Sequence, residues 1–279
     1  MMGVRSVQNT KLSSLWSQNP FQIPFFAGTM AQDRFQEILA FICFDKSTTR
    51  EKRKKTDKLA PIREIHNLFT SNCKKNYLPG EHVTVDEMLI PFRGRVAFRV
   101  YMKSKPAKYG MKVWVLADST TRYCWNLQAY TGKVGKKAEA NQGQRVVLEL
   151  IEGLPPGIGV VTDNYFTSLS LAKKLLAKKM TLLGTLRKNR VEVPKEVLAN
   201  KFRSVYSSIF LEVDSISLVS YVPKKNKCVL LLSTEHNVAK CSNKEKKFKP
   251  EMILDYNATK GGIDSVDQMV NHFTSVRGT

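Results

Sequence analysis

Between His82 and Leu186 the hydrophobic period of the chain switches repeatedly, and this switching constrains the fold most. Four short runs rich in β-branched and apolar residues come first: His82–Asp86, Phe98–Met102, Met111–Ala117 and Cys124–Tyr130. Helical and β periods then alternate. Gln142–Leu154 puts Val146, Val147, Leu150 and Ile151 on one helical face, and Gly159–Asp163 is a short apolar strand ending on an acid. Ser168–Met180 carries Leu171, Leu175 and Leu176 at helical spacing, and Leu182–Leu186 reads as a strand. A strand meander followed by alternating helix and strand predicts a layered α/β sheet. In such sheets reactive groups sit at strand ends and on adjacent helix termini.

The flanks read differently. Met30–Phe44 sets Met30, Phe35, Ile38, Leu39 and Ile42 near one helical face. Lys58–Tyr77 does the same with Ile62, Ile65, Leu68 and Phe69, and Pro61 suits a first turn. The basic run Arg50–Lys55 between them reads as an inter-helix loop. Past Arg190, the runs Val205–Leu211, Ile216–Val222 and Cys228–Ser233 predict a mostly β insertion. Helical character is expected again after Tyr256, with Ile263, Val266, Met269 and Val270 on one stripe of Ile263–Phe273. The expected organisation is a helical region over 1–80, a first core segment over 81–190, a β-rich insertion over 191–245 and a second core segment over 246–279.

Charge narrows the partner. Lys and Arg number 45 against 24 Asp and Glu, a net charge of +21. From Met88 to Leu148 there are twelve basic residues and two acids, Asp118 and Glu139. Seven of the twelve form a comb: Arg93, Arg95, Arg99, Lys103, Lys105, Lys108 and Lys112. That density suits repeated phosphate contacts, with nucleic acid the leading polyanion, although a solvated surface or an anionic lipid surface carries similar charge. No apolar run reaches the ~18 residues of a membrane span, and the first residues lack the apolar core of a secretory signal. The five cysteines are scattered and form no CxxC pair, which argues against a disulfide framework and a zinc knuckle. The expectation is a soluble intracellular chain with no membrane partner.

Acids are scarce, so their positions are informative. Asp86 is expected at the end of the first sheet strand and Asp163 at the end of the strand from Gly159. Asp264 and Asp267, three apart in a helix, share a face. Carboxylate oxygens suit Mg²⁺ or Mn²⁺, and two such ions about 3.5–4 Å apart clamp both oxygens of a phosphodiester displacement. Each acid also has a plainer role. An Asp after a strand forms turns or caps helices, Glu87 could make Asp86 one of a surface pair, and acids in a first helical turn suit its dipole. Spacing alone leaves both readings open. Asp118, followed by Ser119, Thr120 and Thr121, reads as a turn residue. The four histidines show no HxH or HxxxH spacing, and neither GxSxG nor GxxxxGK[ST] occurs, so zinc hydrolase, esterase and P-loop chemistry lack support.

Longer motifs carry a resemblance. Pro79–Glu87 (PGEHVTVDE), Pro91–Arg95 (PFRGR), Lys105–Lys112 (KPAKYGMK), Thr162–Ser168 (TDNYFTS) and Tyr256–Asp267 (YNATKGGIDSVD), together with Lys58–Ile65 (KLAPIREI), closely resemble the piggyBac-type transposases, in the same order. The resemblance implies an RNase H-like catalytic core with a mostly β insertion and a flanking helical domain for dimerisation and DNA binding. It assigns a catalytic, metal-binding triad to Asp86, Asp163 and Asp264, holding two Mg²⁺ (or Mn²⁺) ions, with Asp267 in support. Asp86 and Asp264 would share one ion and Asp163 would help hold the other. The comb from Arg93 to Lys112 would follow the DNA backbone. The implied chemistry is hydrolysis at the transposon end, hairpin formation by the freed 3′-OH, reopening and joining at TTAA. The implied partners are double-stranded DNA and a second copy of the chain, in the nucleus, with no small-molecule substrate. Family members usually continue with further helices and a Cys-rich zinc module, whereas this chain stops at Thr279. The alternative expectation is therefore a truncated or domesticated, non-catalytic DNA-binding or dimerisation derivative.

Overall fold

The computed structural model describes residues 12–17, 24–133, 139–198, 202–242 and 247–272. Lys136, Lys137 and everything past His272, including Phe273 of the expected last helix, lie outside them. The backbone groups into two units, Met1–Phe69 with Asp267–Thr279, and Thr70–Val266.

The first unit is helical: α1 (Pro24–Thr29), α2 (Gln32–Phe41), α3 (Ser47–Lys54) and the start of α4 (Arg63–Asn76). Trp16 organises its beginning. The indole lies 5.7 Å from the Phe26 ring and 5.3 Å from the Phe35 ring, and its N–H donates to the Met30 carbonyl at 2.8 Å. The basic run at 50–55, expected as a loop, mostly forms α3 instead. Arg, Glu and Lys are good helix formers. Asp45 also gives the helix a fixed anionic partner, accepting from Arg50 at 2.5 Å and from Arg53 at 2.6 Å. Those two guanidiniums are three residues apart and so lie on one face. The apolar faces of α2 and α4 read from spacing are largely uncovered: Ile38, Leu39, Ile42, Ile65, Leu68 and Phe69 are all exposed.

The second unit is built on a nine-stranded sheet. Its strands are β1 (His82–Pro91), β2 (Arg99–Tyr101), β3 (Tyr109–Asp118), β4 (Cys124–Ala129), β5 (Gly159–Thr162), β6 (Thr181–Thr185), β7 (Ser208–Val213), β8 (Ile216–Lys224) and β9 (Lys227–Ser233). They lie in the order β2-β3-β1-β5-β6-β9-β8-β7, with β4 also paired to β3. The central trio β1, β5 and β6 is parallel. The β-branched runs expected in an insertion are β7 to β9, and they continue this same sheet because β9 pairs antiparallel with β6. A short ribbon of β10 (Cys241–Ser242) and β11 (Lys249–Pro250) precedes the last helices.

Alternation along the strands sorts side chains to two faces. Val83, Val85, Val160 and Leu182 pack with α5 (Gln142–Leu150) and α6 (Leu169–Ala177) through Val146, Val147, Leu150, Leu171 and Leu175. Their immediate neighbours point the other way. Val161 and Leu183 meet Met252, Ile253 and Tyr256 of α7 (Glu251–Thr259), while Met88, Val113 and Val115 meet Ile263 and Val266 of α8 (Gly262–His272). Each such buried side chain contributes about 1.5–3 kcal/mol. Helix α7 starts earlier than the sequence suggested, at Glu251. Its buried residues Met252, Ile253 and Tyr256 are few, so the periodic signal was weak.

Candidate active site

β1 does not end near Asp86, as its β-branched run suggested. It continues to Pro91 because Glu87–Pro91 keeps pairing with β3, from Glu87 opposite Trp114 to Pro91 opposite Gly110. What ends near Asp86 is the parallel ladder with β5, whose last pair is Val85 and Thr162. Asp86 and Asp163 are the next residues on the two strands, at the carboxyl end of the ladder. Asp86 therefore projects to the same face as Thr84 and Met88, the face covered by α7 and α8.

Helix α8 brings in the third acid. Its residues Ile263 and Val266 are buried against β1 and β3. Gly262 lies so close to β1 that a β-carbon there would come within 2.9 Å of Thr84 Oγ1. Thr84 Oγ1 also donates to the Thr259 carbonyl at the end of α7, at 2.8 Å. Asp264 is two residues past Gly262 and exposed. Asp267, a turn further along α8, belongs to the stretch that groups with the first unit. Among the described residues, no three His, Cys, Asp or Glu side chains converge as a ready metal cluster. The fold thus gathers Asp86 and Asp163 directly and brings α8, carrying Asp264, over the same strand.

The electrostatics of the pair favour a cation. Burial pushes Asp86 up to about 7, and Glu87 and Asp163 add to the shift. The Glu87 backbone N–H, which donates to Asp86 Oδ1 at 2.7 Å, and Lys105 partly oppose it. Asp163 is also raised by burial, against the Tyr165 N–H on its Oδ1 at 2.8 Å and the charges of Arg187 and Lys112. Two half-buried carboxylates that resist ionisation form a hard oxygen donor set that a divalent cation would relieve. The chemistry of the pair therefore fits such an ion.

The basic comb divides. Arg93, Arg95, Arg99, Lys103 and Lys108 are exposed. Lys105 folds back and donates to the Glu87 carbonyl at 3.0 Å. Lys112 is half-buried, with its Nζ 4.8 Å from the Tyr165 ring centre and 5.2 Å from that of Trp114. Burial lowers its pKa, against the raising effect of Glu87, Asp163 and Asp86. Sequence spacing treated all seven as equivalent. It also missed Tyr165, Arg187 and Tyr256, all near the acids; the signal available for Tyr165 was its place two residues after Asp163. Asp118 does serve a turn. It accepts from the N–H groups of Thr120 and Thr121 at 2.8 and 2.7 Å, and from Gly80 N–H at 2.8 Å.

A mixed sheet with carboxylates at the carboxyl end of its central parallel ladder, covered by an acid-bearing helix, is the architecture of an RNase H-like core. The comparisons agree. The family model described as "Transposase IS4" matches residues 1–279. The chain belongs to the piggyBac-type transposase family. It is 27% identical over 274 residues to human PiggyBac transposable element-derived protein 3, covering 90% of this chain and 45% of that protein. Human PiggyBac transposable element-derived protein 2 is 22% identical over 274 residues, with the same coverage of 90% and 45%. A cryo-EM structure of a piggyBac transposase synaptic complex with hairpin DNA matches with a TM-score of 0.89 and 36% identity, over 100% of this chain and 58% of that one. The chain spans about half the length of the proteins it matches.

Proposed function

We propose that this chain supplies the catalytic core of a DNA transposase that cuts and joins DNA strands at phosphodiester bonds with the help of divalent cations, two Mg²⁺ (or Mn²⁺) ions. The observation that carries the reading is the succession of Asp86 and Asp163 at the end of one parallel ladder, with the helix bearing Asp264 packed on the Asp86 face of β1. Asp86, Asp163 and Asp264 would hold the ions, with Asp267 in support. Bound ions would lower the pKa of the attacking water or 3′-OH and neutralise charge on the scissile phosphate. The protein's part is orientation. Strand ends and α8 fix the carboxylates, Lys105 and Lys112 supply cationic charge beside them, and the exposed Arg93, Arg95, Arg99, Lys103 and Lys108 follow the DNA backbone. The solved relative is a complex with hairpin DNA, which supports double-stranded DNA as partner. Joining at TTAA, assembly as a homodimer and work in the nucleus belong to the same reading.

The test is metal-dependent nicking of a duplex carrying the element's ends, with and without Asp86→Asn. Nicking that needs Mg²⁺ or Mn²⁺ and disappears in the variant supports the reading. Nicking that survives the substitution overturns it, and salt-sensitive binding with no cleavage under any metal leaves a non-catalytic DNA-binding role.

A further inference from the structure

The row at the carboxyl end of the parallel ladder has a third place. Val85 pairs with Thr162 and Thr162 with Gly184, so the next residues on β1, β5 and β6 are Asp86, Asp163 and Thr185. Thr185 is the last residue of β6. It stands two residues past Leu183 and so projects to the face covered by α7, as Asp86 does.

Tyr256 of α7 meets this third place. Its hydroxyl is hydrogen-bonded to the Thr185 side chain. Its ring is buried in one cluster with Val161 and Leu183, the residues two before Asp163 and Thr185. Burial does most to raise the pKa of the hydroxyl, the Thr185 bond lowers it, and the charges of Asp163 and Asp86 raise it further, so both carboxylates are within electrostatic reach. Lys260, at the end of α7, places its Nζ 5.7 Å from the ring centre. Nearly one turn past Tyr256, the Thr259 carbonyl accepts from Thr84 Oγ1 of β1 at 2.8 Å. Hydrogen bonds thus tie α7 to β6 and to β1, and the helix bridges β5, which lies between them.

We propose that Tyr256, held by Thr185, is a positioning residue for the carboxylates that hold the ions, an inference that rests on the metal reading above. Apolar packing is non-directional, so Met252 and Ile253 by themselves leave α7 free to slide along the sheet. A hydrogen bond at the level of the acids removes that freedom. Helix α7 continues through Lys260 and Gly261 into α8, so fixing its end fixes where α8, and with it Asp264, begins. The ring also walls the acid row on its β6 side. Groups of this kind, which touch no ion but hold the residues that do, typically change metal affinity or activity about 10–100-fold when removed. A tyrosine kept for packing alone would be served equally well by phenylalanine, so the hydroxyl separates the two roles.

The test titrates the full 279-residue chain with Mn²⁺ alone, reading the free ion by electron paramagnetic resonance, and compares the parent with Tyr256→Phe, Thr185→Val and Thr185→Ser. Tyr256→Phe and Thr185→Val are each expected to weaken Mn²⁺ binding about tenfold, and the double variant no further, because both remove the same bond. Thr185→Ser, which keeps the hydroxyl, is expected to bind as the parent does. In EDTA, Tyr256→Phe should lose no more than about 4 °C in Tm. In the nicking assay its kcat should fall about tenfold, with KM for the duplex unchanged. Parent-like Mn²⁺ affinity in Tyr256→Phe overturns the proposal, and so does a lowered Tm in EDTA with that affinity unchanged, which assigns the hydroxyl to packing. If Tyr256→Phe does not fold, Thr185→Val is read in its place, and parent-like affinity there overturns the proposal. A parent chain that binds no Mn²⁺ rejects the metal reading itself.

Discussion

Gly262 on α8 rests against Thr84 on β1: a β-carbon at 262 would lie 2.9 Å from Thr84 Oγ1 and 3.1 Å from Thr84 Cβ. Thr84 cannot easily yield, since its hydroxyl is tied to Ser119 Oγ and to the Thr259 carbonyl, both at 2.8 Å. Gly262→Ala should therefore push α8 outward and carry Asp264 with it. Overpacking costs about 1–3 kcal/mol, and the better helix propensity of Ala returns up to about 1 kcal/mol. The expected outcome is a modest fall in Tm and at least about a tenfold fall in nicking rate. Gly261→Ala is the control, because no atom lies within 4 Å of a β-carbon at 261. Equal nicking by the two variants would remove this account of α8.

The carboxyl of Asp86, pushed by burial up to about 7, gives a pH signature. Its folded value lies above the ~3.9 of an unfolded chain, so the folded state holds the proton more tightly. Ionisation costs folded stability, and that cost grows as pH rises from about 4 to about 7. Asp86→Asn removes the charge. In the absence of metal it should be more stable than the parent at pH 8, by about 1–3 kcal/mol, and no more stable at pH 4. Denaturant titrations at the two pH values check this. Added Mn²⁺ should raise Tm at pH 8 in the parent and much less in the variant. Identical metal responses would take Asp86 out of the ion site.

His82 and Glu235 form a second, opposite dependence away from the acids. His82 Nε2 lies 3.0 and 3.1 Å from the two Glu235 carboxylate oxygens, which raises the His82 pKa above its usual 6.5. The contribution is complete below about 6.5 and is lost as pH rises through the folded value. The pair is partly exposed, so it contributes under about 1 kcal/mol. Glu235→Gln should lower stability measurably at pH 6 and leave it unchanged at pH 9, by urea unfolding. A loss of equal size at both values would mean that the pair acts through packing.

The division of the comb is testable by salt. Arg93 and Arg95 are exposed, whereas Lys112 sits beside the acids and the Tyr165 ring. Removing two phosphate contacts in the double variant Arg93→Ala, Arg95→Ala should reduce the slope of log K against log salt by about two. Lys112→Met should change that slope by about one at most and lower nicking far more than the double variant does. Filter binding at several salt concentrations, followed by a nicking assay, separates the two groups. If Lys112→Met behaves like the arginine pair, the comb is one uniform phosphate track.

Much of the sheet was legible in the chain. The β-branched runs that became β3, β4, β8 and β9 sit close to where their periodicity placed them, because pleated strands with one or two buried faces impose that pattern. The acids were legible as candidates because carboxylates are few in a chain of net charge +21. Three features were not. The run Arg50–Lys55 has no apolar stripe, so nothing in it announced helix α3; the Asp45 ion pairs that support it come from outside the run. The length of β1 depended on pairing with β3, not on its own residues. The distinction between Lys112 and its exposed neighbours depended on which way β3 faces.

By itself, the sequence determined the local periods, the strongly basic field and the carboxylate chemistry available, since these depend only on neighbouring residues and on composition. Tertiary structure alone decided that Asp86 and Asp163 fall at the same step of adjacent strands, and that Gly262 lets α8 pack closely on the face of β1 to which Asp86 projects. The reason is that register is set by hydrogen bonds between segments far apart in the chain, and a slip of one residue would turn Asp86 to the opposite face.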